Sequence, residues 1–252
     1  MPGQELGKPL PFNVNKEFVE VLSSVDGPEA VHDAVRGVPG SFRKTKENIA
    51  LLQKLEEGKT RKISKSICFT IIPYSYKGLG EMPDVVRSMG IQSINIVPYY
   101  YVPEENGKQY ENELRRNFDC DAFSWKGFHH EDSGIDFDLF KEQLNKYNAG
   151  LNGLKNDPYM PLSDEEYRTW FTDATTPIGS PVCSNVENLI DIQPDGSANF
   201  CVDFPDFSFG NVRESTIHQL WNSPEAEAFR IYRRKQPLPV CSRCGARHMS
   251  KF

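Results

Sequence analysis

The sequence predicts an α/β region followed by a small α+β unit. Three observations carry that expectation. Strand and helix signals alternate over residues 18–103. The strand segments are apolar runs. From Cys183 onward the sequence is compact, with a hairpin, a helical stretch and four cysteines. Continuous apolar strands separated by helices imply parallel pairing, with the strands buried on both faces.

Taken in order, Phe18-Val19-Glu20-Val21-Leu22-Ser23-Ser24 is a β-type run that stops at the turn Asp26-Gly27-Pro28. Pro28 to Val35 reads as helix and Gly37 ends it. Ser41 has the character of an N-cap. Phe42, Thr45, Ile49, Leu52 and Leu55 then recur at helical spacing up to Gly58. Ile67 to Ile72 is the second strand, stopped by Pro73. Gly80 to Ser88 is a short helix ended by Gly90, and Ile91 to Val97 is the third strand, stopped by Pro98. The stretch 104–182 is richer in Asn, Asp, Glu and aromatic residues. Within it Ile135 to Tyr147 is amphipathic, and Ser163-Asp164-Glu165-Glu166 caps another helix. After Cys183, Leu189 to Gln193 and Ala198 to Val202 flank the turn Pro194-Asp195-Gly196-Ser197, a hairpin. Thr216 to Arg234 reads as one helical region. The predicted organisation is a lead-in at 1–17, an α/β region at 18–103, its end and a connection at 104–182, and a C-terminal domain at 183–252.

Composition narrows the function classes. With 252 residues, 38% hydrophobic, 25% charged and a net charge of -6, the chain is globular and carries no basic stripe. A nucleic-acid partner is therefore not expected. The start lacks the order of a signal peptide, and no apolar run reaches the roughly 18 residues that a membrane span needs. A cytoplasmic protein with no membrane partner is the expectation.

Six cysteines are too sparse for a disulfide scaffold. Cys68, inside an apolar strand, reads as a core thiol, and Cys120, beside Asp119 and Asp121, as a free surface thiol. Cys183, Cys201, Cys241 and Cys244 are different. The Cys241-Ser242-Arg243-Cys244 pair bends the chain so that two sulfurs face one centre. Cys183, ahead of the hairpin, and Cys201, on its return strand, can complete a four-sulfur shell. Both tetrahedral zinc and an iron–sulfur cluster fit four sulfurs, and spacing alone does not separate them.

Two blocks resemble the radical SAM superfamily, specifically members with a C-terminal SPASM or twitch extension. The first runs Ser23-Ser24-Val25-Asp26-Gly27-Pro28, His32-Asp33-Ala34-Val35-Arg36-Gly37, Gly40-Ser41-Phe42 and Glu47-Asn48-Ile49, and looks like the fourth strand of the barrel with its helices. The second runs Cys183, Ile192-Gln193-Pro194-Asp195-Gly196, Cys201, Gly210-Asn211-Val212, Leu220-Trp221-Asn222-Ser223, Arg230 and Cys241-Ser242-Arg243-Cys244, and looks like the SPASM signature. The resemblance implies a partial (β/α) radical SAM barrel, later strands only, joined to a SPASM-type domain. It implies one auxiliary [4Fe-4S] cluster on the four cysteines, in preference to zinc.

The family's radical chemistry requires a CxxxCxxC loop and S-adenosylmethionine. No three cysteines here have that spacing, and the expected glycine-rich stretch is absent. The resemblance thus implies the C-terminal portion of a peptide- or protein-modifying or cofactor-maturing enzyme, not competent alone to cleave S-adenosylmethionine. The radical-generating half is expected either to be lost by truncation or to come from another chain. Half a barrel would leave a strand edge and a sheet face open to association. Ser24 and Asp26, at the end of the matched strand, are implied as ribose contacts. Thr70, Pro98 and Tyr99 would line the same mouth, with Tyr99 to Tyr101 read mainly as packed aromatics. His32 reads as a local hydrogen-bonding residue, His129 and His130 as solvated, Asp195 as a turn residue and Arg243 as facing water.

Overall fold

A computed structural model describes residues 20–60, 62–156, 160–180 and 183–245. The predicted lead-in at 1–17 and the stretch after Gly245 lie outside them. In chain order the elements are β1 (Glu20–Ser24), α1 (Glu29–Arg36), α2 (Ser41–Leu55), β2 (Ser64–Ile71), α3 (Met82–Ser88), β3 (Ser93–Pro98), α4 (Glu104–Phe118), α5 (Phe137–Gly150), β4 (Lys155–Asn156) and α6 (Asp164–Thr172). There follow α7 (Asn185–Asn188), β5 (Asp191–Ile192), β6 (Ala198–Asn199), α8 (Ile217–Trp221) and α9 (Pro224–Lys235). The first four strands form one parallel sheet in the order β1-β2-β3-β4. Helices intervene between successive strands, as parallel crossovers require.

Helix boundaries follow local chemistry. Gly37 closes α1 in the left-handed conformation. Ser41 is the first helical residue of α2 rather than its cap. The capping carboxylate comes from α1, where Asp33 accepts from the Gly40 and Phe42 N–H groups and from the Ser41 hydroxyl. These bonds hold the Asp33 carboxyl below its ordinary value. Ser163 and Glu166 form a reciprocal capping box on α6. The region predicted as one helix after Thr216 is two, broken at Asn222 and restarted by Ser223 and Pro224.

One expectation is corrected. The strands are not buried on both faces. Ile67, Phe69 and Ile71 of β2 and Ile94 and Ile96 of β3 are buried beneath α2, α3 and α5, where each such side chain contributes about 1.5–3 kcal/mol. On the opposite face the register aligns Ser24, Cys68 and Asn95, with Thr70 beside Val97. Cys68, Thr70, Asn95 and Val97 are half-buried there, and Cys68 is not a core thiol. With small polar side chains at every second position of an apolar run, this face is only half-covered by the described residues. β1 is paired only to β2 among the described residues, with Val21 and Leu22 exposed.

Two cores divide the molecule. The first holds the sheet, α2, α3, α5 and α6. The second gathers the C-terminal elements together with Val102, Tyr110, Leu114, Ala122 and Trp125. Residues 104–182 are therefore shared. α4 and the loop after it pack with the C-terminal region, while α5 and α6 return to the sheet. Gly107 makes this packing possible, since a Cβ there would lie 2.2 Å from the Trp125 ring.

Candidate metal centre

The second core brings together the four predicted cysteines. Cys183 precedes α7 and Cys201 lies two residues beyond the end of β6. Cys241 and Cys244 lie on a tight 3-10 turn at Pro239–Arg243, where the Cys241 N–H donates to Leu238 O and the Cys244 N–H to Cys241 O. All four line one cavity of about 280 Å³ with Tyr100 and Arg233. Cys241 and Cys244 are buried, and Cys183 and Cys201 half-buried.

The hairpin that positions Cys201 is held by backbone geometry. Gly196 takes φ +91° in the turn, and a Cβ there would meet Asn211 Oδ1 at 2.6 Å. Asn211 in turn donates from Nδ2 to Asp195 O. Asp195 accepts from Ser197, which makes it a turn residue. Below the cavity, the buried Arg230 guanidinium donates to Val186 O and Trp221 O and lies 4.1 Å from the Trp221 ring. It ties α7, α8 and α9 into one support.

Three of the sulfurs receive a donor from the protein. The Phe204 N–H donates to Cys201 Sγ at 3.3 Å, Arg233 Nη2 to Cys241 Sγ at 3.4 Å, and the Tyr100 hydroxyl to Cys244 Sγ at 3.9 Å. Donors aimed at sulfur stabilise a thiolate over a thiol. Burial, followed by the neighbouring Cys244 and Cys241, pushes the Cys201 thiol well up. A cation at the centre would relieve that cost, because metal-bound thiols are held deprotonated.

The spacing of the sulfurs bears on which cation fits. A single tetrahedral zinc, with bonds of about 2.3 Å, requires sulfurs about 3.8 Å apart. No three of the cysteine sulfurs lie within 4.8 Å of one another. Four soft sulfur donors around one cavity are a donor set that an iron–sulfur cluster accepts.

The other predicted positions fall elsewhere. Ser24 is exposed at the end of β1 and lines a groove with Ser23, Thr45 and Asn48. Asp26 is buried two residues further on. Arg36 grips both its carboxylate oxygens, at 2.6 and 3.2 Å, and its backbone N–H donates to His32 Nδ1. That bond leaves Nδ1 as an acceptor, and burial holds the His32 pKa below 6.5. Neither Ser24 nor Asp26 belongs to the cysteine cavity. Tyr99 donates to Ser133 O and Tyr101 to Trp170 O, so both are packed structural residues. His129 is exposed and bonded to Glu131; Glu104, within reach of both, is also paired to Lys108. Cys120 is not a surface thiol: it is half-buried and its Sγ donates to Asp206 O at 3.1 Å.

Arg243 overturns its expectation most clearly. It is 1% exposed, not solvated. Its guanidinium donates to Trp170 O, Thr169 O and Thr176 O at the end of α6 and just beyond it. Sequence reasoning also missed Arg233 and Tyr100. Arg233 sits in the basic run Arg233-Arg234-Lys235, which reads as a solvated helix end. Tyr100 is 144 residues from Cys244 in sequence.

Together these residues gather four cysteines around one cavity. Residues 183–245 match the model of the SPASM family, an iron–sulfur cluster-binding domain. No curated protein matches the chain. Among solved structures, native anSMEcpe with bound AdoMet is similar at 13% identity and a TM-score of 0.49, over 88% of this chain and 57% of that one. The chain thus spans little more than half the length of that structure. Among the described residues, no helix is long and apolar enough to cross a membrane.

Proposed function

We propose that this chain is the C-terminal portion of a radical SAM/SPASM enzyme, and that Cys183, Cys201, Cys241 and Cys244 hold one auxiliary [4Fe-4S] cluster. The observation that carries the reading is the convergence of four cysteines, matched to an iron–sulfur family, on one buried cavity. Bound there, the cluster supplies one-electron transfer.

The chain's own residues do the rest. The Pro239–Arg243 turn presents two sulfurs on one side. The Gly196 turn delivers a third, and Phe204, Arg233 and Tyr100 hold three of the sulfurs by hydrogen bonds. Four protein ligands leave no open coordination position for a substrate. The sheet face that carries Cys68, Thr70 and Asn95, with exposed Ser24 at the end of β1, is the surface offered to S-adenosylmethionine and to a peptide, protein or cofactor-precursor substrate in the complete enzyme, and Asp26, buried and held by Arg36, braces the turn beside it. Asn95 Oδ1 is buried on this face without a hydrogen-bond partner, as an acceptor awaiting a donor would be. The CxxxCxxC loop comes from another segment or another chain, because the six cysteines here do not supply it.

Anaerobic reconstitution with iron and sulfide tests the reading. The expected product is brown protein with four irons and four sulfides per chain, lost in Cys201→Ser, and with no cleavage of S-adenosylmethionine by this chain alone. Colourless protein holding stoichiometric zinc after purification would overturn it in favour of a zinc-binding module.

A further inference from the structure

Arg233 is 3% exposed and projects from α9 into the wall of the cysteine cavity. Its Nη1 donates to Gln236 O at 2.7 Å, which closes the end of the helix. Its Nη2 lies 3.4 Å from Cys241 Sγ. The neighbouring arginines on the helix find carboxylates: Arg230 has Glu227, and Arg234 has Glu187 and Glu227. Among the described residues no carboxylate lies within salt-bridge distance of Arg233. Asp203 lines the same cavity and makes no salt bridge to Arg233.

A guanidinium buried without a counter-charge is costly, by several kcal/mol. Among the described residues, the group within reach of this one that becomes anionic on binding a metal is the Cys241 sulfur. Burial strips water from the Arg233 guanidinium, and its Nη2 meets Cys241 Sγ. The charge of Arg233 is therefore matched to that of the liganded quartet.

We infer that Arg233 sets the reduction potential of the cluster as a positioning residue acting through Cys241. This rests on the proposed cluster reading of the site. Four thiolates outweigh the positive charge of an iron–sulfur core, so the centre is anionic and gains one more negative charge on reduction. A fixed cation in a dry wall stabilises the reduced form more than the oxidised one. Its hydrogen bond to the ligand sulfur acts in the same direction, and both are recognised levers on cluster potentials.

The test is an EPR-monitored redox titration of the reconstituted chain and its variants. Arg233→Gln, with four irons and four sulfides retained, is expected to lower the midpoint by at least a tenfold change in the reduction equilibrium, about 59 mV for one electron. Arg234→Gln, next on the helix and paired with Glu187 and Glu227 rather than with a sulfur, is expected to leave the midpoint in place. An unshifted midpoint in fully loaded Arg233→Gln overturns the inference. If that variant does not load, Arg233→Lys decides. It keeps the charge and loses the planar fork, and is expected to retain the wild-type midpoint. A loaded lysine variant shifted by the same 59 mV would assign the effect to geometry and overturn the charge argument. Metal analysis of the wild type separates the two readings, since a chain that takes up no iron fails the cluster assignment before Arg233 is reached.

Discussion

The two cores solve the same problem with different materials. Around the sheet, β2 and β3 align five residue pairs, and whole aliphatic and aromatic side chains fill the space beneath them. Around the cysteines, the strands β5 and β6 are two residues each. There the interior contains Arg230, Arg233 and Arg243, all buried. Short elements expose many carbonyls, and each arginine offers a planar set of donors that satisfies several at once. The sheet region coheres through apolar burial. The C-terminal region adds the polar ties of these arginines to an aromatic core of its own.

The sharpest way to break that contrast is to remove the metal. Chelation of the reconstituted chain is expected to release the second core while leaving the first in place. Hydrogen exchange should then accelerate about 100-fold or more over residues 102–128 and 183–245, with β2 and β3 unchanged. Equal acceleration in β2 and β3 would show that the cores are one cooperative unit.

A smaller effect follows from Gly107→Ala. The added methyl would press into the Trp125 ring, with a cost of about 1–3 kcal/mol. Denaturant unfolding followed through the second core should register it, and exchange protection in the sheet should not. A fully neutral result would mean that α4 is not seated on Trp125.

The smallest effect belongs to the first core. The His32 pKa lies below 6.5 in the folded chain, so between the two values the unfolded state binds more protons. Stability therefore rises with pH there and is lost as pH falls through about 6.5. The groups facing His32 are Asp26, Arg36 and Asp33, and its ring lies edge-on to Phe42. Melting temperatures between about pH 7.5 and 5.5 should fall more steeply for the wild type than for His32→Gln. Parallel slopes would remove His32 from the account.

The parts legible in the sequence were those encoded locally. Gly37, Gly58 and Gly90 mark real element ends, and the capping box at Ser163 begins a real helix. The cysteine spacing, with the Asp195-Gly196 and Gly210-Asn211 turns between, announced the quartet. What stayed hidden depends on distant contacts. Ser66, Cys68 and Thr70 are small enough to pass for members of an apolar run, so the two-faced character of β2 was masked. Arg243 looked solvated because nothing near it in sequence reveals the carbonyls of α6. The division of residues 104–182 between two cores is likewise set by Trp125 and Tyr110 meeting partners far along the chain.

Arg243 links these two regions physically. It stands between two of the sulfurs and holds three carbonyls at and beyond the end of α6, a helix rooted in the sheet's core. One side chain therefore acts as a gauge block between the sheet and the sulfur quartet. Rocking of the C-terminal unit against the sheet would have to break three bonds together, so the spacing between the two is pinned by this one side chain.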